Sequence, residues 1–184
     1  YGSYTLNTLN EMERLAKHYH CSISNLIVAA AANAISEYNG ESHIKIRWTY
    51  NGREEKWEKM LVGITIESIS TNIDLDDFDS NEGLIQEIKE QSIHGIRYST
   101  FSSAFDDMSP GLSERTNIVY QNGSDTPDNV PEGADIRATF DYHTGAISMF
   151  QIMIVELGED EPLNVILVYN KSKYEKESVA RFSD

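Results

Sequence analysis

Positive charge is what this chain has least of. Its 184 residues carry 15 Lys and Arg against 30 Asp and Glu, a formal net charge of −15, with an isoelectric point near 4.6. Binding to DNA or RNA through phosphates needs a basic footprint, so the balance argues against a nucleic-acid partner. It argues against an anionic membrane surface for the same reason. Cysteine is almost missing: Cys21 stands alone and can form no internal disulfide, which fits a reducing, cytoplasmic setting. No apolar run reaches the roughly 18 residues of a membrane-spanning helix. The longest apolar segment, Leu26 to Ala32, has the length of a core helix. Local catalytic signatures are absent too. There is no Gly-x-Ser-x-Gly elbow, no phosphate loop and no Gly-x-Gly-x-x-Gly, so no catalytic residue is assigned. The sequence contains neither an internal repeat nor a low-complexity tract.

What is present has the composition of a soluble globular chain, 40% hydrophobic and 24% charged, sized for one domain over 1–184. It begins at Tyr1 rather than Met and stops abruptly at Asp184, and it reads as a piece of something longer. Thr8 and Glu11 have capping-box spacing, and Leu9, Met12, Leu15 and Ala16 follow at helical period, which predicts a helix over 9–18. A second helix, capped by Ser24, is expected from 25 to about 38. It is apolar nearly all round and therefore deeply buried, with Asn39-Gly40 as its stop. Residues 43–50 alternate as a strand, with Ile44, Ile46, Trp48 and Tyr50 on one face and His43, Lys45, Arg47 and Thr49 on the other. A further extended stretch runs from Val62 to Leu75. The Asp79/Glu82 spacing opens a helix near 80–94 striped by Leu84, Ile88, Ser92 and Ile96. Strands are expected at 116–121, 147–157 and 163–169, the last two as a hairpin across Gly158 to Pro162, with a final helix starting near Tyr174 or Glu175. This order implies an α/β fold of two layers, a mixed sheet with its helices on one face. The antiparallel close argues against an all-parallel, doubly wound sheet.

Three clusters invite a chemical reading. His18, His20 and Cys21 are potential metal ligands, but ligands two apart on a helix diverge and no second cluster completes a site. Asp77, Asp79 and Asn81 start like a calcium loop, yet Glu82 stands where glycine is needed and Ile88 where the closing glutamate should be. They read instead as an acidic cluster favouring the positive end of the next helix, and no metal is assigned. Between Lys45 and Lys59 five cations (Lys45, Arg47, Arg53, Lys56, Lys59) face three glutamates (Glu54, Glu55, Glu58), a net +2 inside a −15 chain. That patch suits either an anionic partner or a charged, solvated strand edge.

The order of the pieces resembles the C-terminal half of a condensation domain of nonribosomal peptide synthetases. The resemblance rests on an apolar Ala-rich helix ending before glycine (NLIVAAAANAISEYNG) and a strand leading to a small residue and arginine (IKIRWTYNGR). It continues through an Ile-Gly-x-Phe-Val-Asn-Thr type segment (LVGITIESIS), a strand ending in Ile-Asp and an amphipathic helix. A Phe-Asn-Tyr-Gln-Asn type strand (NIVYQN), a Phe-Asp-Leu type strand (MFQIMIVEL) and a Leu-x-Leu-x-Tyr-Asn close (LNVILVYNKSKYEKESVARF) complete it. The resemblance implies a chloramphenicol-acetyltransferase-like half-domain. In such enzymes two halves form a V, and a donor acyl or aminoacyl thioester is attacked by an acceptor amine at their junction. Both substrates ride on the phosphopantetheine of carrier proteins, so no cofactor is expected on this chain itself. The implied partners are the N-terminal half, peptidyl or aminoacyl carrier proteins, and an adjacent adenylation domain, in secondary-metabolite biosynthesis.

The departures from that pattern are specific. The His-His-x-x-x-Asp-Gly motif is absent, so this polypeptide is expected to be inactive alone. Ile64 to Glu67 replace Phe-Val-Asn-Thr, Val119 takes the asparagine position, Gln151 takes the aspartate position, and only His94 survives from a His-Gln-Asp-x-Pro-Phe segment. Junction or substrate-channel candidates are Arg53, Gly63, Tyr120, Gln121 and Asn122. Asn51-Gly52 provides a sharp turn that holds Arg53 at a corner, for an ion pair or for a pantetheine phosphate; Gly63 is expected to allow close backbone approach. Two alternatives stay open: another acyltransferase of the same fold, using a CoA thioester or making an ester, and a non-catalytic carrier-protein-binding module.

Overall fold

The computed structural model describes residues 2–53, 57, 60, 62, 65–98, 116–121, 150–156 and 162–182, with backbone only for 2–8. These residues form six strands and four α-helices: β1 Gly2–Thr8, α1 Leu9–His18, α2 Ile23–Asn39, β2 His43–Tyr50, β3 Glu67–Asp74, α3 Asn81–Arg97, β4 Thr116–Gln121, β5 Phe150–Val155, β6 Pro162–Tyr169 and α4 Lys176–Phe182. The strands make one mixed sheet in the order β1-β6-β5-β4-β2-β3. Its centre is parallel, β2 with β4 and β4 with β5. Its flanks are antiparallel, β2 with β3, β5 with β6, and β1 with β6. The expected hairpin is therefore present, and β1 is an element the sequence pattern had not revealed.

The helix ends follow local chemistry. α1 keeps its expected bounds. The cap of α2 is Ser22 rather than Ser24. The Ser22 hydroxyl accepts from the Asn25 amide (3.2 Å) while Asn25 Oδ1 accepts from the Ser22 amide (3.0 Å), a reciprocal box that Ser24, already the second residue of the helix, does not make. Gly40 closes α2 at φ 74, and its amide donates to the Ser36 carbonyl. The cap of α3 is Ser80 rather than Asp79, because the Ser80 hydroxyl accepts from the Gly83 amide. Asp74 instead caps a one-turn 3-10 helix, Leu75–Asp77, leading out of β3.

All four helices contribute to one core with a single face of the sheet. That face carries Ile44, Ile46 and Trp48 of β2, Ile69 and Ile73 of β3, Ile118 of β4, Ile152 and Ile154 of β5, and Leu163 and Leu167 of β6. Burying each such side chain stabilises the fold by about 1.5–3 kcal/mol. α2 lies in the middle of the helix layer; Leu26, Ile27, Val28, Ala29, Ala31 and Ala32 are all buried, as its unbroken apolar sequence requires. Among the described residues, two hydrogen bonds between side chains are buried in the core. Trp48 Nε1 donates to Thr71 Oγ1 at 3.1 Å, and Asn25 Nδ2 donates to Ser92 Oγ at 2.8 Å, linking α2 to α3. Both matter because an unpaired donor buried there would cost about 1–3 kcal/mol.

Candidate functional site

The pleat decides what the second face of the sheet presents. Side chains alternate, so the register aligns Arg47 of β2, Asn117 of β4, Gln151 of β5 and Val168 of β6 in one lateral row. The next rows hold Met153 with Val119 and Ile166, then Val155 with Gln121 and Asn164. Val155 and Ile166 are buried, yet neither belongs to the core on the helix side. This second face is thus an apolar strip bordered by amides and an arginine. Arg47 Nη2 donates to Ser68 Oγ at 2.9 Å. Two buried polar atoms on this face, Arg47 Nε and Gln121 Oε1, have no hydrogen-bond partner among the described residues. A native fold leaves few such groups unsatisfied, and each calls for an explanation.

The corner at the end of β2 has a definite architecture. Gly52 adopts φ 66, and a Cβ there would overlap the carbonyl of Thr65. Only glycine suits both the conformation and the close approach. The turn brings Arg53 Nε to Thr65 Oγ1 at 2.8 Å, and the same hydroxyl donates to the Asn51 carbonyl at 2.8 Å. Arg53 therefore ties the far end of the β2–β3 connector to its near end. Around this tie Trp57, Met60, Val62 and Ile66 are all exposed. A close backbone approach is found at Gly52; Gly63, where one was expected, lies outside the described residues, as does Asn122.

Tyr120 and Gln121, neighbours in sequence, point to opposite faces. Tyr120 packs against the helix-side core, and its hydroxyl donates to Glu156 Oε1. Burial, that hydrogen bond, and the charges of Glu156 and Glu13 all push the phenol well above its ordinary range, so it stays protonated. Gln121 presents its side chain to the second face, while its carbonyl accepts from the Glu156 amide at 3.1 Å.

The histidine-rich turn after α1 is separate from both places. His18 stacks edge-on with Tyr19, with ring centroids 4.8 Å apart. His20 adopts φ 50. Glu13, Lys17, His20 and Cys21 line an open cleft. Burial pushes the Cys21 thiol up, only partly countered by the charge of Lys89. Among the described residues no group of three His, Cys, Asp or Glu side chains could hold a metal, and no helix is long and apolar enough to cross a membrane.

With this geometry in place, comparison with known proteins identifies the class. The Condensation domain family matches residues 3–184, and the chain belongs to that family. Its fold is that of the first condensation domain of the CDA synthetase (TM-score 0.67, 12% identity, covering 99% of this chain and 43% of that one). The epimerization domain from the third module of tyrocidine synthetase B is similar (0.68, 17%, 100% and 45%), as is the PapA2 acyl transferase (0.73, 14%, 98% and 41%). The chain thus spans less than half the length of these structures. No curated protein matches the sequence. The expected α/β class, with a mixed sheet and its helices on one face, agrees with these folds.

Proposed function

We propose that this chain is the C-terminal half of a peptide-synthetase condensation domain. In this reading it forms one wall of the site where a carrier-bound acceptor amine attacks a carrier-bound donor thioester. The amine nitrogen forms the amide bond to the carbonyl carbon, the carbon–sulfur bond breaks, and the donor's pantetheine thiol takes up the proton released. The observation that carries the reading is the family match over 3–184 in a chain that lacks His-His-x-x-x-Asp-Gly and spans under half of a similar condensation domain. The acid–base chemistry is then supplied by an N-terminal half. This half supplies walls: the second sheet face with Arg47 and Gln121, and the corner built by Gly52 and Arg53.

Phosphopantetheine enters with the carrier proteins and is not held as a resident cofactor of this chain. An adjacent adenylation domain is the expected further partner. Intact-protein mass spectrometry of two loaded carriers tests the reading. Amide-linked product should form when the chain is joined to a half carrying the His-His-x-x-x-Asp-Gly motif, and should not form with the chain alone. Turnover of a CoA thioester in place of the loaded donor carrier would favour the second reading, another acyltransferase, which the likeness to an acyl transferase also supports. Carrier binding without turnover in the joined protein would favour a docking module.

A further inference from the structure

Charge is spread unevenly between the two faces of the sheet. The described strands hold two acidic residues, Glu67 and Asp74. Glu67 stands opposite Tyr50 and shares the helix-side parity of Ile69 and Trp48. Asp74 falls on the second face, but at its corner, where Oδ2 lies 2.9 Å from His43 Nδ1. Lys45 and Arg47 fall on that same face, further along β2. A chain of net charge −15 thus sets two cations on one sheet face beside a single carboxylate, which His43 already engages.

Arg47 is the centre of this arrangement. Nη2 donates to Ser68 Oγ at 2.9 Å, Nε is shut off from water without an acceptor, and no carboxylate among the described residues pairs with the guanidinium. Asn117 and Gln151 continue its row on the next two strands, at a spacing of about 4.8 Å. Both are half-buried, and neither side-chain amide forms a hydrogen bond among the described residues. The row therefore offers one guanidinium and two primary amides, all able to donate and none committed to another. Nε and Nη2 lie along one edge of the guanidinium, the edge that a carboxylate takes with both oxygens. The adjoining row is apolar at Val119 and Met153, which suits the alkyl stem of a group that ends in an acid. A cation held partly out of water without an anion is costly, and a carboxylate from outside would relieve both the charge and Nε.

We propose that Arg47, Asn117 and Gln151, with Lys45 beside them, form a carboxylate subsite, and that the acyl or aminoacyl group brought to this chain bears a carboxylate. The clause on the substrate rests on the condensation reading; the subsite itself does not. The phosphate of the carrier's arm is the rival anion. It is tied to the carrier's own surface, whereas Arg47 lies within β2, four residues from its start and three from its end.

The test titrates the 184-residue chain, followed by NMR, with the N-acetyl methylamides of glutamate and glutamine, which differ only in side-chain charge, and with inorganic phosphate. The parent should bind the glutamate compound about tenfold or more tightly than the glutamine compound, the scale of a charge-assisted hydrogen bond. Arg47→Gln should erase that preference. Gln151→Asp should erase it too, by giving the row a carboxylate of its own while keeping the arginine. Arg14→Gln, which removes a cation from the exposed side of α1, should match the parent. Equal binding of the two compounds, a preference that survives in both Arg47→Gln and Gln151→Asp, or phosphate binding as tight as that of the glutamate compound would each overturn the proposal. In the joined protein, kcat/KM should favour a glutamyl over a glutaminyl group on one of the two carriers, and equal values on both carriers would overturn it while leaving amide formation intact. No turnover of either group, beside a retained preference in binding, would refute the condensation reading and uphold the subsite.

Discussion

Adding one methyl group at position 95 measures how tightly α3 is seated. Alanine is the better helix former by about 1 kcal/mol, so on an exposed helix Gly95→Ala would stabilise. Here the new Cβ would lie within 3.0 Å of Ile69 Cγ2 and about 3.5 Å from Ile69 Cβ, whereas carbon atoms prefer roughly 3.5–4.0 Å. Ile69 is 2% exposed and β-branched, so it has few other rotamers to adopt. The helix must move by about 1 Å, which disturbs the packing of Leu84 and Ile88. Overpacking of this kind costs about 1–3 kcal/mol. Taking the upper part of that range and subtracting the propensity gain leaves a net loss of about 1–2 kcal/mol, or about 2–8 °C in Tm for a chain of this size. Urea denaturation gives the first number and calorimetry the second. The same substitution in an Ile69→Ala background should be neutral or stabilising, a coupling of about 2 kcal/mol between the two sites. Stabilisation by Gly95→Ala in the native background, or an identical cost in both backgrounds, would refute the reasoning.

Gly52→Ala should destabilise by about 2 kcal/mol or more in urea denaturation, since it adds the left-handed backbone penalty of about 1–2 kcal/mol to an overlap with the Thr65 carbonyl. Thr71→Val should cost about 1–3 kcal/mol by leaving the buried Trp48 Nε1 without its acceptor; adding Trp48→Phe should return part of the loss, as read by circular dichroism. Tyr120, with its folded-state pKa raised above the unfolded value near 10, contributes stability that is complete below about pH 10 and is lost as pH rises through the folded pKa. Ultraviolet titration at tyrosinate absorbance should therefore find Tyr120 among the late-ionising tyrosines, with Tyr174, which burial also pushes up, and Tyr120→Phe should remove its share of the late absorbance.

The sequence and the structure agree where the signal is local. The alternation at 43–50 and the period at 9–18 fix β2 and α1, because each element sorts its own apolar residues to one side. β1 escaped notice for the opposite reason. Gly2–Thr8 is held by pairing with β6, at the other end of the chain, and an edge strand carries little alternation of its own. The caps moved by one or two residues because Ser22 and Ser80 are chosen by reciprocal or geometric fit that spacing alone does not rank. At the site, Asn51-Gly52-Arg53 was legible as a corner, since glycine after asparagine has few other uses. The tie from Arg53 to Thr65 was not, as it joins residues twelve apart through a connector with no regular period. Tyr120 and Gln121 were grouped as one candidate, although strand alternation already implies that neighbours face apart.

The pairing of β1 with β6 also sets a timetable. A ribosome adding about 5–20 residues per second would complete β6 roughly 8–30 seconds after β1. Until then β1 lacks the neighbour it has in the finished sheet, whereas β2 and β3 pair with each other early, being close in sequence. The sheet therefore closes last at the edge that was made first, and β1 must be kept from other pairing until the β5–β6 hairpin arrives.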